Sequence, residues 1–195
     1  FLEYAAIATV ADVVELSGEN RVIVKEGLKR LPQTKNAGLR AMLQVCELEG
    51  QPITSYHIGF IIAPTFNAVG RLGSMMEGIS LLEEMNPQKA HEQAVRLREL
   101  NVKRQEMTDE GYQQAVALLE EDGMKDEWNQ YMGEKVLFFC LPELHESIAG
   151  IVAGRLRERY AHPVYVMTKD AHGGLKGSGR SIEAYHMFEG LMKVK

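Results

Sequence analysis

Two short apolar runs with a helical stretch between them set the tightest limits on how this chain can fold. The first is Lys135-Val136-Leu137-Phe138-Phe139-Cys140-Leu141, too short for a helix and rich in strand formers. The second, Pro163-Val164-Tyr165-Val166-Met167-Thr168, is of the same kind. Between them Ile148, Ile151, Val152, Leu156 and Tyr160 recur mostly at three- and four-residue steps, which predicts a helix over Ser147–Tyr160. Strand, helix and strand in that order imply a parallel pair joined by a right-handed crossover. The second strand feeds Gly173-Gly174-Leu175-Lys176-Gly177-Ser178-Gly179-Arg180-Ser181, which reads as a loop. Its glycines let backbone N–H groups approach a ligand closely, Ser178 and Ser181 supply hydroxyl donors, and Arg180 offers a planar fork that fits a phosphate. Such a loop beside a sheet makes an anion-binding concavity; the plain alternative is a Gly/Ser surface turn. Gly150 and Gly154 inside the helix read as ordinary close packing.

Upstream, the pattern is helical. Residues 1–11 read as a buried, alanine-rich helix, followed by helices over Asn20–Leu31 and Ala37–Glu49. Thr54 caps a short segment Tyr56–Ile62, and the glycine-punctuated stretch Ala63–Gly73 reads as a loop carrying Arg71. Ser74 opens a helix to Met85, and Asn86-Pro87 then supplies a cap and a first-turn proline. Nothing but Gly111 breaks the pattern from there to Glu121, a length that would span roughly 50 Å. Ala94, Leu97, Leu100, Met107, Ala115, Leu118 and Leu119 give it an apolar seam, which Asn101, Arg104 and Thr108 interrupt. Those interruptions favour a helix joining two bodies over a coiled coil. The expected fold class is therefore α/β, in three parts: a mostly helical 1–85, a connecting helix and polar linker (Met124–Gly133) over 86–133, and a small α/β domain over 134–195.

Composition narrows the setting. The chain has 195 residues, 45% hydrophobic and 25% charged, as in an ordinary soluble globular protein. A net charge of −5 means that any nucleic-acid contact needs a local basic patch against an acidic background. Cys46 and Cys140 both stand in apolar contexts and read as buried thiols of a reducing compartment, hence a cytoplasmic protein. No apolar run approaches the ~20 residues of a membrane helix, so no membrane partner is expected. The apolar pattern is already running at Phe1 and still running at Lys195, so the chain is expected to be an internal piece of a longer protein. Zinc-ligand spacing, a nucleophile elbow, a Walker loop and a dinucleotide fingerprint are all lacking.

Read alone, Asp12 is a cap or turn residue, His145 a strand-to-helix cap and Arg71 a solvated cation. Together, however, the motifs resemble a family. His145-Glu-Ser-Ile-Ala-Gly-Ile-Val-Ala-Gly-Arg155, followed by the 173–181 stretch, resembles the associated domain of DHH-superfamily phosphoesterases. Ala8-Thr-Val-Ala-Asp12-Val-Val14 resembles the fourth phosphoesterase motif of that superfamily. Asn67-Ala-Val-Gly-Arg71 resembles its R-x-N-A-x-G-R motif, with Thr65 where the pattern has Arg. Each motif is short, but their joint order is specific.

The resemblance implies that residues 1–85 are the C-terminal part of a phosphoesterase domain and 134–195 a truncated associated domain that binds nucleic acid. It implies that Asp12 ligates one of two Mn²⁺ or Mg²⁺ ions that activate water for attack on a phosphodiester. It makes Ser178, Arg180 and Arg71 the grip on a terminal phosphate, with Asn67, His145 and Ser181 as further nucleic-acid contacts. The activity implied is 5′→3′ exonuclease action on single-stranded DNA, releasing nucleoside 5′-monophosphates in repair and recombination, by a monomer that works beside replication and repair proteins. The other metal ligands, in D-x-D-x-D-G and D-H-H segments, are expected before residue 1, so the chain alone is expected to be inactive. Two alternatives remain: a phosphodiesterase of the same superfamily acting on short oligonucleotides or cyclic dinucleotides, and a non-catalytic relative that only binds nucleic acid. The Asn67–Arg71 motif and the long connecting helix favour the exonuclease.

Overall fold

A computed structural model describes residues 1–121, 135–170 and 172–193. The chain divides into two units, Phe1–Lys103 and Arg104–Lys195.

The first unit is helical: α1 (Leu2–Ala11), α2 (Gly18–Arg30), a 3₁₀ turn (Leu31–Gln33), α3 (Ala37–Val45), α4 (Ser55–His57), α5 (Ala63–Leu72), α6 (Met75–Glu83) and the first half of α7 (Pro87–Glu121). Its core is built on Leu31, Leu39, Met42, Ile58, Ile62, Leu81 and Leu97. Asn36 sets α3 in place: its Oδ1 accepts from the Leu39 N–H at 2.8 Å and its Nδ2 donates to the Leu82 carbonyl at 2.7 Å. Against expectation α3 stops at Val45, because Glu47 turns the chain at φ 60° well before Gly50. The N-terminal helix is not a buried one either. Only Ala6 of α1 is fully buried, at its close approach to α2, where a Cβ on Gly27 would fall 2.3 Å from the Ala6 Cβ. The second helix starts at Gly18, two residues before Asn20.

The stretch expected as a loop, Ala63–Gly73, is helix. Thr54 caps α4, a π-helical turn (Ile58–Ile62) follows, and the chain runs directly into α5 with Pro64 in its first turn. Pro is compatible with a helix start, and Thr65, Ala68 and Val69 supply a buried face at helical spacing. The glycines do not break the helix: Gly70 lies on the exposed face of α5 and Gly73 is its C-cap. Downstream, Asn86 caps α7 through Oδ1, which accepts from the Gln88 and Lys89 N–H groups at 2.9 and 3.2 Å.

From Pro87 to Glu121, α7 is unbroken, through Gly111. Ala94, Leu97, Ala115 and Leu119 are buried along it, whereas Leu118 is 43% exposed and does not belong to the seam. Asn101 and Thr108 do belong, although their polarity suggests interruptions. Both are buried and hydrogen-bonded, Asn101 Nδ2 to Thr65 Oγ1 at 3.4 Å and Thr108 Oγ1 to the Arg104 carbonyl at 2.7 Å. The linker expected over Met124–Gly133 lies outside the described residues.

The second unit holds a three-stranded sheet in the order β1 (Leu137–Cys140), β2 (Val164–Lys169), β3 (Leu175–Arg180). β1 and β2 are parallel, Leu137 opposite Val164 and Cys140 opposite Met167, with α8 (Glu146–Tyr160) as the crossover. β3 is antiparallel to β2, with Ser178 opposite Val166 and Arg180 opposite Val164. Most of the predicted 173–181 loop is thus an edge strand. The turn before it is tied by Asp170, whose Oδ1 accepts from the His172 and Gly174 N–H groups, both at 2.8 Å. The glycines serve close pairing: a Cβ on Gly177 would lie 2.7 Å from the Val166 carbonyl oxygen, and one on Gly179 3.0 Å from the Tyr165 ring.

Leu137, Phe139, Val164 and Val166 alternate inward and are buried, as are Ile148, Ala149, Val152 and Leu156 of α8. The same alternation turns Cys140 outward, so this thiol is exposed and only Cys46 is buried. The second half of α7 packs on this unit at Gly111, where a Cβ would stand 2.7 Å from Leu144 Cδ1 and 3.3 Å from Val152 Cγ2. Asp109 pairs with Arg155, and Arg159 donates to the Tyr112 hydroxyl at 2.7 Å. A short helix α9 (Met187–Met192), capped by His186, closes the described chain.

Candidate functional site

The residues singled out from the sequence fall into two sets, one in each unit. In the second unit, Ser178 and Arg180 occupy alternate positions on β3 and so share a sheet face with Lys176. That face meets the N-terminal half of α8. Lys176 Nζ lies 2.9 Å from Glu146 Oε2, and a Cβ on Gly150 would lie 2.9 Å from both Arg180 Nη2 and Ser178 Oγ. Arg180 is held in place by its own strand, Nη1 donating to Ser178 Oγ at 3.1 Å and to the Gly179 carbonyl at 2.9 Å. His145 is the N-cap of α8: its Nδ1 accepts from the Ser147 N–H at 3.3 Å and lies 2.8 Å from Ser147 Oγ. A guanidinium and a hydroxyl are thus gathered side by side against the second turn of α8. This arrangement suits an oxyanion. Ser181 has a different task, its hydroxyl donating to the Tyr185 carbonyl to close the turn after β3.

The opposite sheet face was missed in the sequence. There Phe138 and Tyr165 stack with ring centroids 4.7 Å apart and planes 8° apart, beside Gly177 and Gly179. They line a groove of about 840 Å³ that Ser181, Tyr185, His186 and Phe188 also border. The Tyr165 hydroxyl is buried with no hydrogen-bond partner among the described residues, and burial raises its pKa, with Tyr185 adding to the effect. Strand alternation places Phe138 and Tyr165 on this face, but only the β1–β2 register makes them neighbours.

In the first unit, Asp12 is the C-cap of α1. Asp12 is exposed, and Val13 after it is held at φ 55°, unusual for a β-branched residue, and is 89% exposed. Asn67 and Arg71 stand one turn apart on the exposed face of α5, with Gly70 beside Arg71. Thr65, where the resembling motif has Arg, is fully buried and cannot meet a ligand. Its Oγ1 donates to the Ile61 carbonyl at 2.7 Å and takes the bond from Asn101, so this position has joined the core. A mainly apolar cavity of about 430 Å³, also unforeseen, opens beside Asn67 and Gly70, lined further by Tyr4, Ile7, Phe66 and Met75.

As to metal, no three His, Cys, Asp or Glu side chains among the described residues gather into a group that could hold an ion. Asp12 offers one carboxylate. The residues present do not make a metal centre by themselves.

The chain matches no family model. It is 35% identical over 194 residues to the single-stranded-DNA-specific exonuclease RecJ of Salmonella typhimurium, across 99% of this chain and 33% of that protein. The crystal structure of RecJ in complex with Mg²⁺ from Thermus thermophilus superposes with a TM-score of 0.81 at 31% identity, across 99% of this chain and 29% of that one. The corresponding Mn²⁺ complex gives a TM-score of 0.79 at 32% identity, across 99% and 27%. The chain spans between about a quarter and a third of the length of the curated relatives it matches. Sequence and fold agree along its whole length: the chain is homologous to a segment of the RecJ single-stranded-DNA-specific exonucleases, proteins of the DHH superfamily.

Proposed function

We propose that this chain is the strand-gripping part of a divalent-metal-dependent exonuclease that degrades single-stranded DNA from its 5′ end. One observation carries the reading: Ser178 and Arg180 lie side by side on β3, fitted against the bare second turn of α8. Arg180 offers a fixed fork and Ser178 a hydroxyl, which together bind and orient a terminal phosphate. His145 shapes this seat by fixing the start of α8, and Ser181 by closing the turn beyond β3. Asn67 and Arg71 form a second strand contact on α5. Asp12 supplies one carboxylate to Mn²⁺ or Mg²⁺, the ions held by the Thermus RecJ crystals, and the remaining ligands come from outside the described residues. In this reading residues 1–85 complete a phosphoesterase domain, 86–133 connect, and 134–195 form the nucleic-acid-binding domain. Its work is DNA repair and recombination in the cytoplasm.

The test is titration of 5′-phosphorylated and 5′-hydroxyl single strands into the intact protein and its Arg180→Ala variant at several salt concentrations. Loss of a charge-assisted hydrogen bond, about 1.5–3 kcal/mol, should weaken binding of the phosphorylated strand roughly tenfold to a hundredfold. The log–log salt slope should flatten by about 0.7 for each phosphate that is no longer neutralised. A variant that binds both strands as the wild type does would refute the phosphate seat.

A further inference from the structure

We infer that Gly150 is a positioning residue for the phosphate seat: it keeps the second turn of α8 bare so that Ser178 and Arg180 can lie against the helix and present their donors together. The inference rests on the reading of that pair as the phosphate grip. Gly150 stands inside a fifteen-residue helix, where alanine would be the better helix former and glycine among the worst. Its conformation does not require glycine, since its φ is not positive. What requires glycine is space. A Cβ at this position would come within 2.9 Å of Arg180 Nη2 and of Ser178 Oγ, and within 3.5 Å of Arg180 Cζ.

Neither element can retreat from such a contact. α8 is pinned by Ile148, Ala149, Val152 and Ala153, all at 0% exposure, and β3 by its six-residue register with β2. The atoms that would be struck are the ends of two polar side chains, one of them long and flexible. The fold therefore tolerates a Cβ, and the pair moves instead, breaking the 3.1 Å bond by which Ser178 and Arg180 hold each other. Gly154, one turn further along the same helix, has nothing within 4 Å of its would-be Cβ and serves as the control.

The experiment compares Gly150→Ala, Gly154→Ala, Arg180→Ala and the Gly150→Ala/Arg180→Ala double variant in the intact protein. It reads thermal unfolding and affinity for 5′-phosphorylated and 5′-hydroxyl single strands. Gly150→Ala should unfold no earlier than the wild type and keep its affinity for the 5′-hydroxyl strand. Its preference for the phosphorylated strand should fall about tenfold or more, as when a charge-assisted hydrogen bond is removed. The double variant should be no worse than Arg180→Ala alone, because both substitutions disable the same grip. Gly154→Ala should bind both strands as the wild type does. If Arg180→Ala loses the preference and Gly150→Ala retains it, the role of Gly150 is overturned and the phosphate seat stands. If Arg180→Ala retains the preference, both fall. An equal loss on the two strands by Gly150→Ala would mark a merely structural glycine and overturn the inference.

Discussion

A carboxylate at the C-terminal end of a helix meets the negative end of the helix dipole, and Asp12 sits there with its side chain exposed and a strained valine after it. Neither feature helps the fold. Strain and an unfavourable charge placed together on the surface are in keeping with the metal-ligand role proposed for Asp12. Replacing Asp12 by asparagine keeps the shape and removes the charge. The expected outcome is a stability change within about 0.5 kcal/mol, as for other exposed positions, and a loss of turnover in the intact protein of about a hundredfold or more. Thermal unfolding and rate measured on the same preparation check it; a stability loss in proportion to the rate loss would make Asp12 a structural residue. Thr65 illustrates the converse. Where the resembling motif has an Arg, a buried Thr hydroxyl binds Asn101, and its neighbours decided that, since nothing local distinguishes a Thr on a core face from one on an open face.

At the scale of elements, α6 shows how a helix end is fixed by a group from its own first turn. Glu77 Oε1 accepts from the Ser74 N–H at 3.1 Å, completing a capping box, and Oε2 accepts from Arg96 Nε on α7 at 2.7 Å. The hydrogen bond from Ser74 and the guanidinium of Arg96 together hold the Glu77 carboxyl below its usual pKa. A depressed folded-state pKa contributes stability that is present above the unfolded pKa and is lost as pH falls through the folded one. Glu77→Gln should therefore lower the unfolding temperature at about pH 7, and the gap to wild type should close as the pH falls below the ordinary glutamate range and the Glu77 carboxylate takes up its proton. A gap independent of pH would contradict the charged capping role. Helix α7 offers a second test. Gly→Ala in a helix interior usually gains about 1 kcal/mol, yet at Gly111 the new methyl meets Leu144 and Val152. Overpacking of roughly 1–3 kcal/mol should outweigh that gain, so Gly111→Ala should unfold at lower denaturant than wild type. A stabilised variant would show that Leu144 gives way freely.

For the whole molecule, the expected outcome is that the 195-residue chain alone releases no mononucleotide from 5′-phosphorylated single-stranded DNA with Mn²⁺. One carboxylate cannot hold a two-ion centre, and no described group of ligating side chains adds to it. Release that Asp12→Ala abolishes would overturn this. The sequence by itself determined the helices with strong caps, such as α6 behind Ser74 and α7 behind Asn86, and the parallel β1–α8–β2 unit, because capping and periodicity are local chemistry. It also determined the order of the motifs from Asp12 to Arg180. It misplaced two stretches rich in glycine, 63–73 and 173–181, because glycine signals a turn when read alone. In the fold, Gly70 rides on a helix and Gly177 admits a neighbouring strand. It could not show that Phe138 stacks on Tyr165, or that Gly150 lies under Ser178 and Arg180. Those neighbours are separated by tens of residues along the chain and meet only through strand register and the crossover. Composition and periodicity carry no record of register, so only the tertiary structure decided which residues share a site.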